Sequence, residues 1–87
     1  MNQTAKEISL DQLPVGSQAT IVRVGGEKTT KRRLLDMGLL PGEKITVKAT
    51  APLGDPLEMI IKGYHLSLRK HEAREITVAP QAGGLGG

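Results

Sequence analysis

The sequence predicts a mainly β fold: a small five-stranded barrel with one inserted α-helix and one or two short helical turns. Apolar and polar residues alternate in several short segments, as strands with one buried face require. Glycine and proline separate these segments, and one stretch has the spacing of an amphipathic helix. Because isolated hairpins are marginally stable, so many strands in 87 residues are expected to curl into a barrel that hides their edges.

The chain is predicted to form one domain, residues 8–78, because 87 residues cannot support two hydrophobic cores. We expect residues 1–7 to be a flexible N-terminus, since this segment is mostly polar. Residues 79–87 are expected to be a disordered tail. Their glycine-rich sequence buries too little apolar surface to offset the entropy of ordering it.

The domain is predicted to begin with a short helical turn and a strand. Ser9 is placed to cap the turn, and Pro14 ends it. The strand, residues 17–24, is rich in β-branched residues, but its alternation breaks between Ile21 and Val22. Either both faces of this strand are partly covered, or a β-bulge shifts its register.

The helix is predicted over residues 29–38, capped by Thr29 or Thr30. Its inward stripe is apolar: Leu34, Leu35 and Met37. Gly38 suits the left-handed position after a helix, and Pro41 prevents continuation.

Three alternating segments and a short final strand follow. Their inward residues are expected to be Ile45, Val47, Ala49, Leu57, Met59, Ile61, Tyr64, Leu66 and Leu68. Gly63 supplies the positive φ of a two-residue hairpin turn, residues 69–74 suit one helical turn, and residues 76–78 form the last strand. An SH3-like barrel is the most economical arrangement of these strands, and an OB-type barrel is the alternative.

Composition excludes several classes of function. The chain has no cysteine, which excludes a disulfide framework, a thiolate metal centre and a cysteine nucleophile. Tyr64 is the sole aromatic residue, so the chain lacks the set of aromatic side chains on which nucleic acid bases usually stack. The 12 basic and 9 acidic residues give a net charge of +3, which mildly favours anionic partners. With no apolar run of ~20 residues and no signal-peptide pattern, we expect a cytoplasmic protein.

No motif indicates catalysis, and we expect neither enzymatic activity nor a cofactor. The segment that begins Gly25-Gly26 lacks the spacing and the Gly-Lys-Ser/Thr ending of a phosphate loop. His71 and Glu75 are weak candidates for metal ligands, because four residues on a helical turn would place them on one face. Two ligands make a poor site, and solvated side chains are the more ordinary interpretation.

The most informative feature is a basic cluster at the start of the predicted helix. Lys28, Lys31, Arg32 and Arg33 lie where the helix dipole disfavours cations, so stability alone would favour acidic residues there. The cluster either forms a solvated charged turn whose stems cover apolar surface, or it contacts an acidic partner. On the second interpretation, the candidate binding residues are Lys31, Arg32 and Arg33.

Leu53 is a further candidate binding residue. It lies in a loop of residues 51–56 that contains two prolines and Gly54, which excludes a regular strand. An exposed leucine at a barrel rim would anchor a partner. The alternative is that Leu53 folds back as a lid on the open end of the barrel.

Four segments, taken together, resemble the ferrous iron transport protein A (FeoA) family. They are Leu10-x-x-Leu13-Pro14-x-Gly16, Arg33-Leu34-Leu35-Asp36-Met37-Gly38-Leu39-Leu40-Pro41-Gly42, Ala51-Pro52-Leu53-Gly54-Asp55-Pro56-Leu57 and Gly63-Tyr64-x-Leu66-x-Leu68-Arg69-x-x-Glu72-Ala73-x-x-Ile76-x-Val78. The resemblance covers residues 8–78 in order. It implies an SH3-like barrel, which agrees with the strand count, and family members are often described as binding transition metals.

The resemblance also implies a partner, ferrous iron transport protein B, a membrane permease with a cytoplasmic GTP-binding domain. A member of the family would then be a non-enzymatic accessory protein, recruited to the inner face of the membrane without inserting into it. Arg32 or Arg33 would be a candidate arginine finger for the GTP-binding domain.

Two other functions fit the residues. A small barrel with a basic cluster is compatible with nucleic acid binding, although the charge of +3 and the lack of aromatic residues argue against it, and no nucleic acid partner is expected. The same domain closes certain metal-dependent repressors, so a stand-alone metal-responsive domain is the other alternative.

Overall fold

The computed structural model describes residues 6–81, and these form a six-stranded antiparallel sheet with short helices. In chain order the elements are β1 (Ile8–Ser9), a 3-10 turn (Leu10–Gln12), β2 (Gln18–Val24), α1 (Lys28–Asp36), β3 (Lys44–Thr50), β4 (Leu57–Ile61), β5 (Tyr64–Leu68), α2 (Lys70–Ala73) and β6 (Ile76–Pro80). Their order across the sheet is β1-β6-β2-β3-β4-β5. The prediction of a mainly β fold with one inserted helix is confirmed. The sixth strand, β1, was not predicted, because two residues carry no alternation.

The C-terminal strand is longer than predicted. β6 extends to Pro80, which pairs with Ala19 of β2, whereas the domain was predicted to end at Val78 and the disordered tail to begin at residue 79. Ala79 and Pro80 are half-buried. They form part of the strand because they pair with β2, although their own sequence has only a weak strand pattern. Residues 1–5 and 82–87, where a flexible terminus and a disordered tail were predicted, otherwise lie outside the described residues.

A β-bulge resolves the irregular pattern of β2. The pairing of β2 with β6 shifts register between Ile21 and Arg23, so Ala19, Ile21 and Val24 all face inward and are buried. A second shift lies in β3 after Val47. Bulges increase twist and bend strands, so both curve the sheet around the core. The core consists of Leu10, Leu13, Ala19, Ile21, Val24, Leu34, Leu39, Ile45, Val47, Leu57, Met59, Ile61, Leu68, Ala73, Ile76 and Val78.

Helix α1 begins earlier than predicted. Its N-cap residue is Glu27, so neither Thr29 nor Thr30 caps it, and Lys28 is the first helical residue. The C-terminal end of α1 follows the prediction. Gly38 has a φ of +98°, and the N–H of Leu39 donates to the carbonyl of Leu34 at 3.2 Å, as in a Schellman motif.

The β4–β5 hairpin is tied to the end of α1. Lys62 and Gly63 both have positive φ, 54° and 83°, which gives the predicted two-residue turn the geometry of type I′. The hydroxyl of Tyr64 donates a hydrogen bond to the carbonyl of Met37. A Cβ atom on Gly38 would lie 2.5 Å from that hydroxyl, so the glycine also makes room for the tyrosine.

Candidate protein-interaction surface

The outward face of α1 carries cations that form no ion pair with any other residue of the described range 6–81. Leu34 is fully buried, and at 100° per residue the helix places Arg32 nearly opposite to it, directly outward. Lys31 is also exposed and lines a shallow groove beside Leu35 and β2. Within residues 6–81, neither Arg32 nor Lys31 forms an ion pair.

Arg33, the third predicted contact, has an intramolecular role instead. Its guanidinium pairs with the carboxylate of Glu72, whose side chain is only 7% exposed while that of Arg33 is 58% exposed. Glu72 also accepts a hydrogen bond from the N–H of Arg69 at 2.9 Å. The pair therefore joins α1 to α2, and Arg33 is not a free cation.

The expectation that the helix dipole disfavours all four cations of the cluster was wrong for Arg33. Because α1 begins at Lys28, Arg33 lies in its last turn, where the negative end of the dipole stabilises a positive charge. Lys31 and Arg32 lie in the middle of the helix, where the effect of the dipole is small. Their exposure, together with their lack of ion pairs in the described part of the chain, distinguishes them from Arg33.

Leu53 is exposed and does not fold back as a lid on the barrel. Its side chain is 94% exposed, the most among the large apolar residues of the described chain. The loop that carries it is closed by two backbone hydrogen bonds: the N–H of Gly54 donates to the carbonyl of Ala51 at 2.7 Å, and the N–H of Ala51 donates to the carbonyl of Pro56 at 3.1 Å. Leu53 is thus exposed to solvent in a hydrogen-bonded turn.

The base of the Leu53 loop lies near α2 and near Arg33 of α1. Asp55 accepts a hydrogen bond from the N–H of Lys70, the first residue of α2, at 2.9 Å. Pro56, at the base of the loop, lines one groove together with Arg33 of α1. The exposed candidate binding residues are Lys31, Arg32 and Leu53, and we call this set of residues the candidate docking face.

The weak metal candidates do not form a site. Helix α2 ends at Ala73, so Glu75 lies in the turn after it, and the expectation that His71 and Glu75 share a helical face was wrong. In the part of the chain that the structure describes, no three histidine or carboxylate side chains are grouped so as to hold a metal ion. Residues 6–81 therefore do not fit a metal centre.

The glycine pair after β2 packs against an acidic side chain. Gly26 has a φ of +93°, and a Cβ atom there would lie 3.2 Å from Cγ of Glu75. A neighbouring carboxylate repels phosphate, so the geometry agrees with the absence of a phosphate-loop motif.

No helix among the described residues is long and apolar enough to cross a membrane.

The chain matches the family model described as the FeoA domain over residues 8–80. It is also 45% identical over 69 residues to the Fe(2+) transport protein A/Fe(2+) transporter FeoB fusion protein of Porphyromonas gingivalis. The match covers 79% of this chain and 8% of the relative, so the chain spans a small part of that protein's length.

Two solved structures share the fold. One is the FeoA protein of Chlorobium tepidum, 42% identical, with a TM-score of 0.81 over 91% of this chain and 75% of that chain. The other is the zinc complex of Stenotrophomonas maltophilia FeoA, described as a prokaryotic SH3 domain protein. It is 28% identical, with a TM-score of 0.73 over 82% of this chain and 88% of that chain. The SH3-like architecture predicted from the strand count is confirmed.

Proposed function

The chain belongs to the FeoA domain family, whose members are non-enzymatic accessory domains of ferrous iron transport, and we propose that it acts by docking on the iron permease FeoB. The observation that carries this proposal is the fusion of a homologous domain to FeoB in one polypeptide. A fused domain is held near its partner at high effective concentration. A domain that is not fused to its partner obtains that proximity from the affinity of its surface.

The docking face supports the proposal because it combines an exposed apolar side chain with cations that have no ion-pair partner among residues 6–81. Interfaces obtain most of their affinity from a few apolar or aromatic anchors in desolvated pockets, and exposed charges at the rim steer association. Leu53 has the exposure and the preformed turn that an anchor needs. Lys31 and Arg32 supply the steering charge, so the complementary surface of the permease is acidic with an apolar pocket.

The place of action follows from the partner. A chain that docks on the cytoplasmic part of a permease works at the inner face of the membrane without inserting into it. Of the two candidate arginine fingers, Arg32 is the one without an ion pair among residues 6–81, whereas Arg33 is engaged by Glu72. The experiment below therefore measures GTP hydrolysis as well as binding, in order to detect an effect of Arg32 on the GTP-binding domain.

Binding of the full chain to purified full-length permease in lipid nanodiscs tests the proposal. The charge reversal Lys31→Glu/Arg32→Glu should weaken binding at low salt about tenfold, mainly through a slower association rate. Lys44→Glu/Lys48→Glu is the matched control, because it changes net charge equally on the exposed face of β3. GTP hydrolysis by the permease is measured in the same samples.

If Lys31→Glu/Arg32→Glu and Lys44→Glu/Lys48→Glu weaken binding equally, the effect is due to net charge alone, and α1 does not contact the permease. No measurable binding of the unaltered chain would contradict the proposed function itself. If binding persists but hydrolysis is the same with unaltered and Arg32→Ala protein, Arg32 is not an arginine finger.

A further inference from the structure

A groove of about 310 Å³ lies between helix α1 and the bulge of β2. This volume is at the lower end of the range of ligand pockets in proteins, so the groove suits the side chains of a short segment better than a large cofactor. We call it the α1–β2 groove. It is lined by residues of β2, α1 and the segment after α1: Val22, Arg23, Val24, Lys31, Leu35 and Pro41.

The apolar floor of the groove comes from the β-bulge. The pairing of β2 with β6 passes from Ile21 opposite Val78 directly to Arg23 opposite Thr77, so Val22 is the extra residue. An extra residue in a bulge changes the direction of a side chain. Val22 is half-buried and lines the groove, whereas Ile21 is buried in the core. The bulge therefore supplies an apolar side chain outside the core, next to α1.

The two walls of the groove are fixed by the fold. Lys31 and Leu35 are four residues apart, so they lie on the same side of α1, and Leu35 is half-buried against the core. On the other side, the N–H of Gly42 donates to the carbonyl of Ile21 at 2.7 Å, which holds Pro41 beside β2. The groove is therefore present before any partner binds.

The lining of the groove combines apolar surface with positive charge. Two of its six residues, Arg23 and Lys31, are basic, and none is acidic. Lys31 has no ion-pair partner within residues 6–81. Arg23 pairs with Glu7 at 3.8 Å, but the two side chains are 64% and 48% exposed, and an exposed pair of this kind contributes little. An apolar side chain flanked by acidic groups would complement both the floor and the charges.

We propose that the α1–β2 groove binds a segment of the permease in which acidic residues flank an apolar side chain. The inference rests on the proposed function for the identity of the partner and on the groove for the chemistry of the segment. It extends the docking face, with which it shares Lys31. Leu53 reaches outward into the partner, whereas at the groove the partner reaches into this chain.

Three capped peptides test the chemistry of the groove by amide NMR titration of the full chain. Acetyl-Glu-Leu-Leu-Glu-amide should shift the resonances of Val22, Lys31 and Leu35. Acetyl-Lys-Leu-Leu-Lys-amide should bind about tenfold more weakly, because its charges repel those of the groove. Acetyl-Glu-Ser-Ser-Glu-amide should also bind at least about tenfold more weakly, because it has no apolar side chain to bury.

The substitution Pro41→Glu places a carboxylate in the lining of the groove and should weaken binding of the acidic–apolar peptide about fivefold. Pro14→Glu is the matched control, because Pro14 is also an exposed proline and lies in a different loop, outside the groove. It should bind the peptide like the unaltered chain. If Pro41→Glu loses its dispersed amide spectrum, the exposed Lys31→Glu replaces it, with the exposed Lys48→Glu as control.

Binding to full-length permease in nanodiscs separates this inference from the proposed function. The unaltered chain and Pro14→Glu should bind alike, and Pro41→Glu should bind at least about fivefold more weakly. If all three bind equally, the groove is not a contact, although the proposed function stands. If the unaltered chain does not bind, the proposed function fails, and the permease is not the occupant of the groove.

Two further outcomes would overturn the inference. The first is equal binding of the three peptides, or shifts confined to a surface away from the groove. The second is a different occupant. Groove shifts caused by anionic phosphatidylglycerol bicelles and not by the acidic–apolar peptide would identify a lipid surface, and concentration-dependent dimerisation that Pro41→Glu abolishes would identify a second copy of this chain.

Discussion

At the scale of single residues, the best-buried charge of the described chain lies between the two helices. Glu72 is 5% exposed, accepts a hydrogen bond from the N–H of Arg69 and pairs with the partly exposed guanidinium of Arg33. A buried charge that loses its partner costs more than a pair whose charge is neutralised by isosteric substitution. This asymmetry makes the role of Arg33 measurable.

Arg33→Ala should lower the free energy of unfolding by about 2 kcal/mol, since it leaves the Glu72 carboxylate buried with one hydrogen bond. Glu72→Gln should cost less, about 1 kcal/mol, because it removes the charge and keeps the acceptor for Arg69. Urea unfolding of both variants provides the comparison. A larger loss for Glu72→Gln would show that Arg33 is not the residue that compensates the buried charge.

Gly38 offers a second measurable contact, with Gly42 as its matched control. Both have positive φ, 98° and 94°, but a Cβ atom at Gly38 would collide with Tyr64, whereas nothing lies within 4 Å of one at Gly42. Gly42→Ala should cost about 1 kcal/mol from backbone conformation alone, and Gly38→Ala about 1 kcal/mol more. Introducing Tyr64→Phe should reduce the cost of Gly38→Ala, and an unchanged cost in thermal unfolding would exclude the steric explanation.

These contacts also show what the sequence could reveal about residues. The left-handed role of Gly38 is readable because helix stripe, glycine and proline follow one another locally. The pairing of Arg33 with Glu72 joins positions 39 residues apart and leaves no local pattern. The spacing of Glu72 three residues after Arg69 is the typical signal of a side chain that reaches back to a helix N-terminus, and it could have suggested the burial of Glu72.

At the scale of elements, the Leu53 loop is held by α2. The carboxylate of Asp55 accepts a hydrogen bond from the first N–H of that helix, where the positive end of the helix dipole favours an anion. The loop and the helix therefore stabilise each other. Leu53 itself contributes nothing to this arrangement, because it is almost fully exposed.

Asp55→Ala should lower the free energy of unfolding by about 1 kcal/mol, because the N–H of Lys70 loses its acceptor. Leu53→Ala should leave stability within about 0.5 kcal/mol of the unaltered protein, as expected for an exposed side chain. Guanidinium unfolding measures both. A comparable loss in Leu53→Ala would mean that the leucine packs against the molecule and is not a free anchor.

The strands were predictable in proportion to their regularity. β4 alternates cleanly, and its inward residues are buried as expected. In β2 the alternation breaks, and the sequence could indicate a bulge without placing it, since the bulge position depends on pairing with β6, more than 50 residues away in the chain. The start of α1 was misplaced because the threonines resemble caps, whereas the sharp entry after Gly25-Gly26 fixes Glu27 as the N-cap.

At the scale of the whole molecule, the candidate residues fall into two groups that the sequence could not separate. Arg32 and Arg33 are adjacent and chemically identical, yet the fold turns one to solvent and the other to Glu72. The sequence around Leu53 is equally compatible with a lid on the barrel and with an exposed side chain, and only the exposure of Leu53 in the fold excludes the lid. Family membership, by contrast, could be inferred from ordered local motifs, because these specify the turns and caps of the barrel.

The affinity of this protein for the full-length iron permease, measured with Leu53→Asp and with Val15→Asp, tests docking through the Leu53 loop most directly. Val15 is the matched control, an exposed apolar residue, 54% accessible, in a different loop. We expect Leu53→Asp to weaken binding at least about tenfold while Val15→Asp binds like the unaltered chain. Tight binding by Leu53→Asp would contradict the proposed docking face.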